Sequence, residues 1–317
     1  MAKDFVIENG VLKKYNGTKS EVVIPDGIKE IGNFAFMGKR SLLSVVLPGS
    51  VKTIGQMAFK WCRNLQTVVF YGGKKIGSHA FYECKQLRAV TLPNTLTHIG
   101  DLAFYGCENI ENLNIPYGVK TIGQAVFAEC RKLKKITIPD SVDEIGGMTF
   151  FNCKELYSVS LPNNIKSIQS ETFRGCAKLT DIVLPEGIYS IGKMALFKCA
   201  GLQSIRIPNN VTIIESGAFS ECRNLQNIML SQSIETIDQD AFSGCKKLNS
   251  IIIPECVNVI NVRSFYGCSN LQKVVISKNT TVIDTSFGLC KKLTIFAPVG
   301  SFAEQYAKEN NIEFEAI

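Results

Sequence analysis

The sequence holds no apolar run near the roughly 18 residues that a membrane helix needs, so no membrane insertion is expected. No apolar stretch follows the start Met1-Ala2-Lys3-Asp4-Phe5, so no secretory leader is expected. Histidine is scarce. His79 and His98 are the two present, and both flank small or β-branched neighbours rather than each other or a carboxylate cluster. That leaves no imidazole pair for a metal, and no catalytic role is expected of either histidine. No Cys-x-x-Cys pair occurs, although zinc sites usually carry one. The glycine-rich segment Tyr71-Gly72-Gly73-Lys74-Lys75 lacks the spacing of a phosphate loop. The charge is lopsided only mildly: 35 basic against 28 acidic residues, a formal +7. Such an excess implies nucleic-acid binding only when concentrated on one face. These absences point away from catalysis: no catalytic residue, metal site or cofactor is expected.

What is present is a repeat. Isoleucine recurs at Ile31, Ile54, Ile76, Ile99, Ile122, Ile145, Ile168, Ile191, Ile214, Ile237, Ile260 and Ile283, in steps of 23 residues with one of 22 at Ile76. An aromatic column follows, from Phe36 and Phe59 to Phe265 and Phe287, with Leu196 in one rung. A cysteine column runs from Cys62 to Cys290, and a leucine column from Leu42 to Leu293. The length would suit two or three globular domains. A repeat overrides that prior, because a solenoid grows along one axis without splitting its core. The expectation is a single solenoid of about twelve 23-residue rungs over residues 24–298.

Each column has a physical reading. In Leu133-Lys134-Lys135-Ile136-Thr137-Ile138 the apolar residues alternate with polar ones, the pattern of a half-buried strand. Repeated in every rung, it stacks strands in parallel about 4.8 Å apart. Pro139 ends the strand, since it has no N–H to donate. A second short strand is expected near Val142-Asp143-Glu144-Ile145. Glycine follows the isoleucine at Gly32, Gly55, Gly77, Gly100, Gly123, Gly146 and Gly192, and Asp238, Asn261 and Asp284 stand there in three other rungs. These residue types tolerate positive φ, so a sharp corner is expected. The spacing Ala-Phe-x-x-Cys-x-x-Leu predicts one helical turn, α or 3₁₀. The ends read as caps: residues 1–23 hold a hairpin around Asn9-Gly10, and residues 299–317 hold a helix, opened by the capping box Ser301 to Glu304, and a strand.

The pattern at 138–156, Ile-Pro-Asp-Ser-Val-Asp-Glu-Ile-Gly-Gly-Met-Thr-Phe-Phe-Asn-Cys-Lys-Glu-Leu, resembles the BspA-type leucine-rich repeat family. The resemblance covers residues 24–298 and the flanking caps. It implies an α/β-type, leucine-rich-repeat-like right-handed superhelix of stacked parallel strands. It also implies a bacterial or protozoan surface protein linked to adhesion, and it brings no catalytic residue with it. Against the surface location stand the absent leader and the many thiols, which favour the cytoplasm.

The eleven column cysteines read as buried free thiols. Stacked neighbours would point their Cβ atoms in parallel, a poor geometry for bridging, and cysteine favours burial. Cys256 falls outside the column, on an expected exposed turn, where a reactive thiol is one reading and an inert surface residue the other. The outward sheet face is the candidate binding surface. It comprises Lys135, Ser158, Asp181, Arg206, Met229, Ile252 and Val275, the last three forming an apolar break in a polar column. Contiguous exposed apolar side chains on a solenoid mark a partner site; ordinary β-propensity is the bland alternative. A second surface is a basic ridge beside the cysteines, at Arg131, Lys132, Lys154, Lys178, Arg223, Lys246 and Lys247. It reads either as a solubilising stripe or as a polyanion site with steep salt dependence. Protein is the expected partner, with a polyanion or an intracellular scaffold role as the alternatives.

Overall fold

The rungs stack through hydrogen-bond ladders at three places, of which the outward one is interrupted. The computed structural model describes residues 4–283 and 285–317, so Asp284 of the glycine column and the first three residues lie outside it. The chain divides into two compact units, Met1–Asn164 and Ile165–Ile317, and each is a β-solenoid. In the first, the short strands Glu30–Ile31, Thr53–Ile54, Lys75–Ile76, His98–Ile99, Thr121–Ile122 and Glu144–Ile145 pair in parallel, isoleucine against isoleucine. The longer strands Glu21–Val23, Ser44–Leu47, Thr67–Phe70 and Ala89–Thr91 form the outward ladder. That ladder resumes at Lys135–Thr137 and Ser158–Ser160, with a single bridge from Asn112 to Lys135. In the second unit Ser167–Ile168, Ser190–Ile191, Ile213–Ile214, Thr236–Ile237, Val259–Ile260 and Thr281–Val282 repeat the short ladder.

One register differs from the sequence reading. Val282, not Ile283, pairs with Ile260. Ile283 is 38% exposed and its N–H bonds Ile260 O at 3.0 Å, as glycine-column residues do in other rungs. The last rung is one residue short ahead of this column, so every residue near it shifts by one place.

The third ladder replaces the expected helical turn. The rungs contain no helix among the described residues; the α-helix Phe302–Glu309 belongs to the C-terminal cap. Successive turns fill the segment instead. Ala35 N, Met37 N and Lys39 N bond Gly32 O, Phe34 O and Phe36 O, while the alternate amides of Phe34, Phe36 and Gly38 reach Gln56 O, Ala58 O and Lys60 O of the next rung. An α-helix would turn all these amides along its own axis; the stack needs half of them pointed at its neighbour. The conformation responsible is left-handed at two places per rung. Phe34, Met57, His79, Leu102 and Met148 lie at φ 53–61°, and Trp61, Glu83, Glu129 and Asn152 at φ 53–63°. Each such non-glycine residue costs about 1–2 kcal/mol, offset by the amide it directs to the adjacent rung.

The glycine column has no positive φ, contrary to the expected corner. Its cause is close approach. A Cβ built on Gly77 would lie 2.8 Å from Gln56 N, on Gly100 2.7 Å from Ser78 N, and on Gly146 2.6 Å from Gln124 N. The backbones of adjacent rungs touch here. Gln169, Glu215 and Ile283 stand in this column elsewhere, so the constraint belongs to the glycine rungs.

Inside, like residues meet like. Tyr15, Phe36, Phe59, Phe81, Phe104, Phe127 and Phe150 stack with ring centroids 4.8–5.8 Å apart. Phe219, Phe242, Phe265 and Phe287 repeat this at 5.2–5.3 Å. Each fully buried ring contributes about 1.5–3 kcal/mol. The caps close the ends. Phe5–Glu8 and Val11–Tyr15 pair antiparallel around Asn9 (φ 50°) and Gly10 (φ 75°). Ser301 caps the helix, accepting from Glu304 N at 3.2 Å, and Tyr306 sets its ring edge against Phe287. Glu313–Ala316 then pairs with Thr294–Ala297.

The column cysteines are buried free thiols. Their role is more specific than apolar filling: Cys62 Sγ donates to Phe36 O at 3.0 Å, Cys107 to Phe81 O at 3.2 Å, Cys222 to Leu196 O at 3.2 Å, and the same link recurs along the column. Burial pushes the thiols of Cys62 and Cys222 up to about 12, although the neighbouring backbone bonds pull the other way. Cys256 is half-buried rather than exposed. Its Sγ donates to Gln232 O (2.9 Å) and Ile234 O (3.1 Å), the kind of place where Thr95 and Ser141 bond Gly73 O and Val119 O.

Two expected outcomes follow from these packings. Gly100→Ala should cost about 1–3 kcal/mol in urea unfolding, whereas Gly267→Asn should cost under about 1 kcal/mol, since Gly267 has φ 71° and open space around its Cβ. The raised thiols are protonated in the folded chain and ionise more readily once unfolded. Their stabilisation is therefore complete below pH 9, the ordinary thiol value, and is lost as pH rises from there towards about 12. Denaturation curves at pH 7 and pH 10 should show that fall, and replacing Cys107 and Cys222 together by serine, which keeps a donor but loses the titration, should shrink it.

Candidate functional site

The strands of the second unit alternate, so one residue set faces the core and the next faces water. Ile205 and Ile251 are buried, while Arg206, Met229 and Ile252 point outward. Met229 is 64% exposed and Ile252 70% exposed, far beyond the burial their size favours. Val275 is half-buried beside Ile252, its register partner. Asp181 is exposed on the companion column. Two residues outside the candidate set extend the apolar column. Val183, 77% exposed, stands in it beyond Arg206, whose charge interrupts the run. Phe296 pairs with Val275 in register and carries Lys273 Nζ 4.3 Å above its ring. The short last rung displaces Phe296 from the 23-residue step and hides it from a periodic reading.

The outward ladder of this unit is not continuous. Ser204–Arg206 pairs with Asn227–Met229, and Ser250–Ile252 starts a separate ladder through Lys273–Val275, Thr294–Ala297 and Glu313–Ala316. A cleft of about 410 Å³ lies along the first of these, lined by Val183, Leu184, Ile205, Arg206, Ile228 and Met229. Arg206 bonds Glu186 at its edge, a half-exposed ion pair worth about 0–1 kcal/mol and screened by salt. The surface is thus an apolar strip with one easily displaced charge.

In the first unit the same face opens on Val23, 69% exposed, and the half-buried Val46 and Val69, and turns polar further along. Lys135 and Ser158 are register partners, the lysine exposed and the serine half-buried, with Thr137 and Ser160 beside them in water. A second cleft, about 580 Å³, is lined by Gln66, Gln86, Arg88, Asn109 and Lys132. Its amides are engaged with one another and with Arg88, at 2.6 and 3.1 Å.

Arg131, Lys132 and Lys154 in the first unit, and Lys178, Arg223, Lys246 and Lys247 in the second, are all exposed. Their arginines are already paired: Arg131 with Glu129 at 2.9 Å and Arg223 with Glu221 at 2.7 Å. Both glutamates occupy left-handed positions, and the turn conformation aims them at the ridge. Among the described residues, no group of three His, Cys, Asp or Glu side chains could hold a metal ion. His79 packs on Tyr82 and its basicity is lowered by burial and then by Lys60, with Asp101 opposing. His98 meets Thr97 Oγ1. No helix among the described residues is long and apolar enough to cross a membrane.

A family model described as BspA type Leucine rich repeat region matches residues 7–73, 74–203 and 166–294, in six copies. No curated protein matches the sequence. Among solved structures, a leucine rich cell surface protein from Faecalibacterium prausnitzii is 27% identical over 98% of this chain and 95% of its own, with a TM-score of 0.60. A leucine-rich repeat protein from Bacteroides ovatus is 27% identical over 99% and 97%, at 0.64. The pneumococcal vaccine antigen PcpA shares the fold at 20% identity, over 94% and 79%, at 0.67.

Proposed function

Since the chain belongs to the BspA-type leucine-rich repeat family, whose fold commonly serves protein binding, we propose that it is a non-catalytic module that takes a protein partner on the apolar strip of its second unit. The observation that carries this reading is the exposure of Val183, Met229 and Ile252 in one column. Burying a side chain of this size against a partner gains about 1.5–3 kcal/mol, so two or three of them make the core of an interface. The discontinuous ladder adds a cleft into which a partner side chain fits. Arg206 and Lys273 flank the strip and give it a basic edge. The ridge competes poorly with this surface, because glutamates neutralise both of its arginines at short range.

The test is site-specific photo-crosslinking in the source cells. A photoreactive residue at Met229 or Ile252 should yield a discrete protein adduct. One at Lys166, exposed elsewhere on the same unit, should not. Ile252→Ser with Val183→Ser should reduce capture of that protein at least tenfold at an unchanged melting temperature. Equal adducts from all positions, or capture that survives the double substitution, would dismiss the strip as the binding site.

A further inference from the structure

The turn side of the second unit holds a cleft that the repeat pattern alone does not call for. In the place after the stacked phenylalanine, four successive rungs carry Phe197, Ser220, Ser243 and Tyr266. Two serines between two rings leave a notch. The rung before each ring places Met194, then Gly217, Asp240 and Arg263, in the left-handed position, so the glycine deepens the gap. The resulting cleft has a volume of about 440 Å³, within the range of small-ligand sites. Phe197 and Met194 form one wall and Arg263 the other, with Ser220 and Ser243 as the floor. The guanidinium of Arg263 lies 5.0 Å from the Tyr266 ring and bonds Asp240 Oδ1 at 3.1 Å, reaching back over the floor. Three rung steps of about 4.8 Å separate the two ring positions. Subtracting the guanidinium leaves about 9 Å, room for one six-membered ring in contact with both walls.

The floor also holds an unmet polar group. Ser220 is only 7% exposed, yet its hydroxyl has no hydrogen-bond partner among the described residues. The neighbouring Ser243 Oγ does bond, to Tyr266 O at 3.3 Å. The rim is charged but nearly balanced: Glu221 pairs with Arg223 at 2.7 Å and Asp240 with Arg263, while Lys198 Nζ lies 5.1 Å and the Arg174 guanidinium 5.2 Å from the Phe197 ring. Carboxylate acceptors therefore sit beside guanidinium donors, and the charge is close to balanced, with Lys198 in excess. Vicinal hydroxyls, which donate and accept at once, match that arrangement. The apolar C–H face of a sugar ring matches the Phe197 wall.

We propose that this cleft binds one neutral pyranose ring of a glycan, stacked on Phe197, with its hydroxyls shared among Ser220, Asp240, Glu221 and Arg263. This site lies apart from the apolar strip and does not depend on it. Saturation-transfer NMR on the full chain, with the methyl glycosides of glucose, galactose and mannose and with N-acetylneuraminic acid as the charged probe, tests it. Transfer to the ring protons of a neutral glycoside is expected, with little change between low and moderate salt. Ser220→Phe should reduce affinity at least tenfold; the adjoining Phe197 makes a ring there compatible with the stack. Asp240→Asn, on the rim, should do the same without filling the cleft, so a folding defect in the first variant does not decide the matter. Ile252→Ser should leave the signal unchanged. Transfer from none of the neutral glycosides, transfer only from N-acetylneuraminic acid, or binding that survives Asp240→Asn would overturn the proposal.

Discussion

Backbone hydrogen bonds between successive rungs are the constraint to which the other features answer. A rung of 23 residues is too short to have a core of its own. It acquires one by presenting amides and carbonyls to the rungs on either side, at the long strand, the short strand and the turn segment. The turn segment bears the clearest mark of this demand. A helix would satisfy the same amides internally and leave nothing for the neighbour. The chain accepts two left-handed residues per rung instead, many of them not glycine. The strain is tolerable because each rung locks the next.

Several residue choices follow from the same stacking. Glycine after the isoleucine lets two backbones touch, as at Gly77 and Gly100. The cysteine thiol is small enough for the interior and donates to a carbonyl of the preceding rung. Threonine or serine fills the alanine place only where its hydroxyl finds a carbonyl within reach, as Thr172 does with Gln169 O and Ser264 with Asn261 O. The interior is a set of columns, each selecting one kind of side chain, and the outward positions are free of that selection. Variation there carries information, and both candidate surfaces are built from such variable positions. The strip sets Val183, Met229 and Ile252 in the outward column, and the cleft sets Ser220 and Ser243 between Phe197 and Tyr266.

Much of the architecture was legible from spacing. The twelve-rung register, the parallel strands, the buried thiols, the N-terminal hairpin and the C-terminal helix and strand were all readable from the order of residue types. The misreadings share a cause. Residue preferences alone suggested positive φ at the glycines and a helical turn at Ala-Phe-x-x-Cys, and both inferences treated the rung as if it stood alone. Ile283 misled in another way, since its identity fitted a column whose place one missing residue had given to Val282. Of the outward face, Val183, Met229, Ile252 and Val275 are all placed in one column by the 23-residue step, although Arg206 sets Val183 apart from the other three, whereas Phe296 is hidden by the short last rung.

The sequence by itself determined that like side chains would meet in continuous columns, because a repeat with a constant step leaves stacking as the one way to bury every isoleucine and phenylalanine. The tertiary structure alone decided which backbone atoms approach closely enough to exclude a Cβ, which hydroxyl is left unmatched, and where the outward ladder is interrupted. Those features depend on distances between rungs 20 or more residues apart, and residue order does not encode a distance of that kind until the chain is stacked.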